Sequence, residues 1–177
     1  GCRTEDGHFD PEQFRVKANY PEVKGILIKL SQGAKPGMGG MLPGHKVTAE
    51  IAEARGIEEG QDCLSPAWHS EFDTPLELMH FVKKLRRLAN GKPVGIKFCV
   101  GSRHEVLSLC KAMLKAKTAP DWITVDGAEG GTGAAPLEFL DRVGTPLTEG
   151  LMIVHNALVG TGLRDQVAVG AAGKVVG

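Results

Sequence analysis

The sequence predicts an α/β fold with a parallel β-sheet, on the basis of two features. Short β-branched segments alternate along the chain with segments of helical periodicity, which is typical of strands joined by helical crossovers. The chain also has 24 glycines among 177 residues, about twice the usual share of roughly 7%. They cluster at 33–44, 127–133 and 170–177, after predicted strands. Ligands of parallel α/β folds bind at the carboxyl ends of strands, so we expect these clusters on one rim, beside a ligand.

The predicted strands are short apolar segments, and we expect all of them to lie parallel and adjacent. They span 26–30, 63–64, 94–100, 121–126 and 166–169. The segment 63–64 is the weakest of them, since it is only two residues long.

Predicted helices lie between the strands, and local signals set their ends. The first runs to residue 55 from an N-cap at Thr48 and is closed by Gly56. The second begins after Asp73 or Thr74, with Pro75 in its first turn, and ends at Asn90-Gly91; the third begins at the capping box Ser102–Glu105. A fourth spans 151–163. The side chains expected to be buried are Leu78, Met79, Val82, Leu85 and Leu88 in the second helix, Val106, Leu109, Cys110, Met113 and Leu114 in the third, and Leu151, Val154, Leu158 and Val159 in the fourth.

The composition favours a globular protein and argues against several other classes of protein. The 42% hydrophobic and 24% charged residues are typical of a soluble fold. Lys+Arg and Asp+Glu both number 21, and a protein without excess basic charge is not a typical nucleic-acid binder. No apolar run approaches the roughly 18 residues of a membrane span, and no targeting leader is visible after Gly1. Four cysteines without a CxxC pair predict neither disulfides nor a metal site, and indicate the reducing cytoplasm.

The length bears on which α/β architecture to expect. A complete (β/α)8 barrel typically needs about 250 residues, so a barrel interpretation requires that this chain be a piece of a longer one. A first residue other than Met and an end just after a predicted strand fit that interpretation. We therefore expect residues 1–177 to form one partial (β/α)8 TIM barrel domain with about five of the eight strands. A self-contained open α/β domain is the alternative.

Two glycine-rich loops are candidate ligand-binding segments. In the first, residues 31–40, glycine leaves backbone amides free for an anion and Lys35 adds a positive charge; an ordinary surface loop is the alternative. In the second, residues 126–136, small residues allow a flat ring to approach the backbone, and Thr132 offers hydrogen bonds. Asp126 and Glu129 either accept hydrogen bonds from a ligand or cap the turn.

Lys97 stands out because it lies within the predicted strand 94–100. Strands of a parallel sheet are usually buried on both faces, and a buried lysine is unfavourable unless it is paired. Lys97 therefore either reaches a sheet edge or a structural carboxylate, or directs its ammonium group at a ligand that develops negative charge, such as a reduced flavin.

Two further residues have structural interpretations by default. His69, next to an aromatic residue in the segment 65–69, is more often structural than catalytic, and neither Asp nor Asn is placed to complete a triad with Cys63. Arg55, at a predicted helix end, interacts with the helix dipole.

Four long motifs, in order, resemble the FMN-binding synthase domain of glutamate synthase. They are IKLSQGAKPGMGGMLPGHKVTAEIAEARG, SPAWH, VGIKF and DGAEGGTGAAP. The chain looks closest to the shorter glutamate-synthase-like FMN-binding proteins, and the resemblance runs from about Lys24 to the end. It implies a (β/α)8 barrel with FMN across the carboxyl ends of the strands. Flavin electrons would then reduce the 2-iminoglutarate formed from 2-oxoglutarate and ammonia, giving glutamate.

The resemblance also implies roles for residues. Lys35 and Arg55 correspond to residues that hold the 2-oxoglutarate carboxylates, and Lys97 is the candidate catalytic cation, which stabilises the reduced flavin. The segment 170–173 lies near the expected cofactor phosphate, although the family's Asp-Gly-Gly is here Ala-Ala-Gly. The candidate cofactor-binding residues are Gln32, Lys97, Asp126, Gly130, Gly131, Thr132, Gly133, Gly170 and Gly173.

Several departures from the family pattern affect the interpretation. Met41 stands where the family often has Gln, which favours another flavin-dependent amino-acid or keto-acid oxidoreductase as an alternative. The cysteines that bind an iron–sulfur centre are not encoded in this chain, and neither is a glutaminase domain. Cys2 is not a substitute for the nucleophilic cysteine of that domain. Expected partners are a 2-oxo acid or amino acid substrate and an electron-donor protein. A non-catalytic flavin-binding module is the second alternative.

Overall fold

The computed structural model describes residues 2–4, 6–34, 39–131, 133, 135–140 and 142–175. Its helices and strands alternate, as the sequence predicts. In chain order the elements are α1 (Pro11–Ala18), β1 (Ile26–Lys29), β2 (Met41–Leu42), a short 3-10 helix (Gly44–Lys46), α2 (Ala49–Arg55), β3 (Cys63–Leu64), α3 (Pro75–Leu88), β4 (Val94–Phe98), α4 (Arg103–Ala116), β5 (Trp122–Asp126), α5 (Leu147–Gly160) and β6 (Ala168–Ala172).

A parallel sheet of four strands, ordered β1-β4-β5-β6, forms the centre of the fold. Each crossover carries one long helix and moves the chain one position in the same direction. Right-handed crossovers then place α3, α4 and α5 on one face of the sheet. On that face, residues such as Ile96 and Val125 join the helices in the hydrophobic core. Lys97 and Thr124, which are paired in register, project from the opposite face.

The prediction of a fifth strand in the parallel sheet is wrong. Cys63–Leu64 does form a strand, but it pairs antiparallel with Met41–Leu42 in a separate two-stranded sheet. It does not lie between its sequence neighbours in the main sheet, because β1 and β4 pair directly. The close contact of Gly39 with Ser65 contributes to the pairing: a Cβ on Gly39 would stand 1.8 Å from the Ser65 carbonyl oxygen.

The predicted helix caps are confirmed. Thr48 caps α2, and Gly56 closes it in the left-handed conformation. Capping boxes begin α3 at Thr74 and α4 at Ser102. At α3 the Glu77 carboxylate accepts hydrogen bonds from the backbone N–H groups of Asp73 and Thr74, and these bonds lower the pKa of Glu77.

Some helical details differ from the prediction. Leu114 and Val159 are exposed instead of buried. An α-helix advances about 100° per residue, so Leu114 points about 80° away from Val106, and Val159 about 140° away from Val154. Helix α5 begins at Leu147, earlier than predicted, and α1 was not predicted at all, although Asp10 and Pro11 supply its start signals. Strand β6 covers 168–172 instead of 166–169, so Gly170 lies inside the strand.

Within the described residues, none of the helices has the length and apolar character to cross a membrane.

Candidate functional site

Glycines from all three clusters meet at the carboxyl ends of β1, β5 and β6, which confirms that the clusters share one rim. A Cβ on Gly33 would stand 1.8 Å from the carbonyl oxygen of Gly127, and one on Gly130 would stand 3.0 Å from the Cα of Gly173. Gly131 has a φ of +67° and leaves no room for a side chain beside the Gly33 carbonyl oxygen. These glycines are therefore required for backbone packing within the protein, and they leave a rim with few side chains.

Beside this rim lies a cavity of about 360 Å³. It is lined by Gln32, Lys97, Asp126, Glu129, Gly130, Gly131, Gly173 and Lys174. Six of the residues predicted to bind a cofactor thus come together, although they lie far apart in the sequence: Gln32, Lys97, Asp126, Gly130, Gly131 and Gly173.

The side chain of Asp126, at the end of β5, connects the strands beneath the cavity. Its residue is only 3% exposed. Oδ2 accepts a hydrogen bond of 3.0 Å from the backbone N–H of Gly33 and lies 3.3 Å from Lys97 Nζ. A buried carboxylate requires such partners, because burial without them is strongly unfavourable. Asp126 therefore fixes the loop after β1 and the lysine of β4 in place at the same time.

Lys97 forms an ion pair with a structural carboxylate, that of Asp126, as one of its two interpretations predicted. Its side chain remains 24% exposed and lines the cavity, so the ammonium group faces both Asp126 and the cavity. The ion pair does not test the catalytic role, which stays a prediction. It does mean that the charge of Lys97 is largely balanced before any ligand arrives.

Glu129 caps a helix. Both of its carboxylate oxygens lie 3.1 Å from the backbone nitrogen of Leu147, the first residue of α5. Pro146, at the N-cap position, makes no side-chain capping hydrogen bond. A carboxylate is favourable at a helix N-terminus, where unpaired N–H groups carry partial positive charge. The glycine-rich loop after β5 is thereby attached to α5.

Lys174 was missed by the sequence analysis. It lines the cavity directly after Gly173 and is exposed. A lysine directly after Gly173, within the glycine cluster that follows a strand, was the available signal.

Among the described residues, three other predicted site residues do not line this cavity: Arg55, Gly133 and Gly170. Arg55, at the end of α2, donates from Nη1 to Cys63 Sγ at 3.4 Å. Gly170 lies beside Thr124 within the sheet, and Gly133 is not among the lining residues. The predictions for Lys35 and Thr132 fall outside the described residues.

A second, larger cavity of about 610 Å³ lies between the ends of β1 and β4 and the first turns of α3 and α4. Here His69 has structural partners: its ring stacks on Phe72 with centroids 4.9 Å apart, and Nε2 lies 2.9 Å from the carbonyl oxygen of Lys29. Burial raises the pKa of the Cys99 thiol, so this cysteine is protonated at neutral pH. Across the described part of the chain, no group of three or more His, Cys, Asp or Glu side chains is arranged to hold a metal ion.

Comparison with known proteins shows the family. Residues 10–177 match the conserved region in glutamate synthase. The chain belongs to the glutamate synthase family. It is 42% identical over 176 residues to the glutamate synthase large subunit-like protein YerD of Bacillus subtilis, an alignment that covers 99% of this chain and 33% of YerD.

Two relatives named as glutamate synthases give the same result. Identity is 40% over 166 residues with the archaeal glutamate synthase (NADPH) of Methanocaldococcus jannaschii, covering 92% of this chain and 32% of the relative. With the glutamate synthase (NADPH) large chain of Bacillus subtilis it is 33% over 165 residues, covering 93% of this chain and 11% of the relative. The chain therefore spans about a third or less of the length of these glutamate synthase family members.

Proposed function

We propose that this chain is the flavin-binding part of an FMN-dependent oxidoreductase of the glutamate synthase type. The reaction is the reduction of 2-iminoglutarate, formed from 2-oxoglutarate and ammonia, to glutamate. The observation that supports it best is the cavity at the strand ends, where Gln32, Lys97 and the glycines of two loops converge in a member of this family.

We propose that the sheet is part of a (β/α)8 barrel. A doubly wound open sheet reverses direction at a switch point and carries helices on both faces. Here the four strands follow one another in one direction, with the long helices on one face. The opposite face, with Lys97 and Thr124, corresponds to the interior of such a barrel.

The residues around the cavity fit a flavin. The glycine-rich rim gives a flat ring system a surface with few side chains. Gln32 offers an amide and Lys97 an ammonium donor for ring carbonyl oxygens, and Lys174, directly after the segment expected near the phosphate, offers a second ammonium group. Bound FMN would supply the hydride for the imino carbon. The chain's own residues would orient the ring: Gln32 from the loop after β1, Lys97 from β4 with its ammonium group fixed by Asp126, and the backbone of Gly130 and Gly131 from the loop after β5.

Substrate and partners follow from the same proposal. Lys35 and Arg55 would bind the two carboxylates of 2-oxoglutarate. Arg55 lies at the end of α2 and hydrogen-bonds to Cys63, so its guanidinium group would exchange that weak sulfur acceptor for a carboxylate. An electron-donor protein would reduce the flavin, and any iron–sulfur centre would be held outside this chain. Four free cysteines fit a reducing compartment, and we propose the cytoplasm.

The test uses the full-length parent protein. It should purify with the absorption spectrum of FMN, and dithionite should reduce it under anaerobic conditions. Addition of 2-oxoglutarate with ammonium should then restore the oxidised spectrum, with glutamate as the product detected by mass spectrometry. Arg55→Lys is the matched variant, since it keeps the charge but loses the bidentate geometry; we expect a higher 2-oxoglutarate requirement with unchanged FMN content.

Other outcomes separate the alternatives. Reoxidation by a different 2-oxo acid, and not by 2-oxoglutarate, would favour the second oxidoreductase, with Met41 as the first residue to examine. A flavin that no 2-oxo acid reoxidises would favour the non-catalytic module. A full-length protein without flavin would refute the proposal.

A further inference from the structure

The outward faces of α4 and α5 carry four exposed apolar side chains. Leu107 and Leu114 on α4, and Met152 and Val159 on α5, are each between 50% and 54% exposed. The two members of each pair are seven residues apart in the sequence, so they point within about 20° of each other and lie about 10.5 Å apart along the helix axis. Each helix therefore presents an apolar stripe to solvent, besides the side chains that it buries in the core.

The two stripes lie side by side and at the same level. Helices α4 and α5 pack together and run parallel, because each leads back from one strand of the parallel sheet to the next. Leu107 and Met152 line one cavity of about 330 Å³ between the helices. Leu114 and Val159 each lie seven residues further on, so they are level as well. These four side chains form one surface, the α4/α5 patch.

Two opposite charges border the same cavity. Arg103 and Glu149, in the first turns of α4 and α5, line it and are exposed. In the part of the chain that the structure describes, neither of them forms an ion pair. Arg103 is also unfavourably placed, because the N-terminus of a helix carries partial positive charge. A carboxylate from outside the protomer would therefore be stabilising beside Arg103.

We propose that the α4/α5 patch is the contact surface between two copies of this chain in a symmetric dimer. A two-fold axis parallel to the helices places α4 of each copy against α5 of the other, without a shift along the helix axes. The pairs that this arrangement forms are Leu107 with the partner's Met152, Leu114 with the partner's Val159, and Arg103 with the partner's Glu149. A two-fold axis across the helices would instead set α4 against α4 and bring the exposed Lys111 of both copies together.

The size of the patch sets the strength that we expect. Each helix has 14 residues, so the two are about 21 Å long and, side by side, about 20 Å wide. The contact face is then on the order of 400 Å² per copy, which is below the roughly 800 Å² of a standard stable interface. We therefore expect a weak dimer, whose population rises with protein concentration.

The test is sedimentation velocity on the full-length parent protein, at concentrations from about 1 to 100 µM. Leu107→Glu places a charge in the apolar contact and should raise the dimer dissociation constant more than tenfold. Val16→Glu is the matched control, because Val16 is an exposed apolar residue on α1, and it should leave the dissociation constant unchanged.

Charge reversal tests the pairing itself. Arg103→Glu sets a carboxylate against the partner's Glu149 and should weaken the dimer about tenfold. The double variant Arg103→Glu with Glu149→Arg restores opposite charges across the contact, and its dissociation constant should return to within about threefold of the wild-type value.

Three results would overturn the inference. They are a wild-type protein that stays monomeric at the highest concentration, a dimer that Leu107→Glu leaves intact, and a double charge reversal that restores nothing. The proposed function is independent of all three, because the patch contributes no lining residue to either cavity of the candidate functional site. The FMN content of Leu107→Glu should accordingly equal that of the wild type.

Discussion

The role of Asp126 as the connection between three strands can be tested by removing its side chain. Asp126→Ala leaves the Gly33 N–H without its acceptor and Lys97 without its counter-ion. A hydrogen bond to a charged group contributes about 1.5–3 kcal/mol. Lys97 is partly exposed, so losing its partner adds about 1 kcal/mol, well below the roughly 3–5 kcal/mol measured for fully buried pairs.

The sum predicts that Asp126→Ala weakens the local structure by about 3 kcal/mol, which corresponds to roughly a hundredfold faster exchange of the Gly33 amide hydrogen. Asp126→Asn, which keeps an acceptor, should cost only about 1 kcal/mol. Hydrogen exchange followed by mass spectrometry on the full-length protein measures both effects in the peptide that contains Gly33.

The control is Asp165→Ala, because Asp165 is an exposed aspartate in the segment that precedes β6. In this variant we expect the amide hydrogens near Gly33 to exchange at the wild-type rate. Wild-type protection of Gly33 in Asp126→Ala would refute the argument. It would mean that glycine packing alone holds the loop after β1.

Three more predictions concern other features of the fold. Glu129→Ala should lower the free energy of unfolding by about 1 kcal/mol through loss of the α5 cap, and Glu129→Gln by less; equal urea midpoints for the two variants would contradict this. Gly33→Ala should destabilise by about 2 kcal/mol or more, because a carbonyl oxygen stands 1.8 Å from the new Cβ; Gly133→Ala, with open space around it, is the control. The pKa of Glu77 is lowered from its ordinary 4.5, so its cap stabilises α3 above that pH and is lost as pH falls through the lower folded value; thermal unfolding of Glu77→Gln should therefore differ from wild type at pH 7 and match it in strong acid.

The parts of the fold that local signals determine were predictable. The capping box at Ser102 and the N-cap at Asp73 or Thr74 depend only on residues a few positions apart, and the structure confirms the first and selects Thr74 for the second. The partner of Cys63–Leu64 was not predictable in the same way, because strand pairing depends on contacts between distant segments. The shared rim of the glycine clusters could be inferred because parallel topology brings strand ends together.

The candidate site, too, was predictable only where it did not depend on contacts between distant segments. The position of Lys97 in a strand indicated that it needs a partner, but several carboxylates were available and only the fold selects Asp126. Glycine was correctly associated with close approach, yet the sequence did not reveal that Gly33 approaches the protein's own backbone. Arg55 shows the converse: its motif marks it for a carboxylate, whereas its described partner is Cys63.

The hydrogen bond from Gly33 to Asp126 has a consequence for how the protein is made. The two residues are 93 positions apart in the chain. At synthesis rates of roughly 5–20 residues per second, the loop after β1 leaves the ribosome about 5–20 s before its acceptor. Lys97 is made after Gly33, and it also lacks Asp126 until β5 follows. The cavity can therefore assemble only after β5 has docked, and a nascent chain that stops earlier has no Asp126 to accept the hydrogen bond from Gly33.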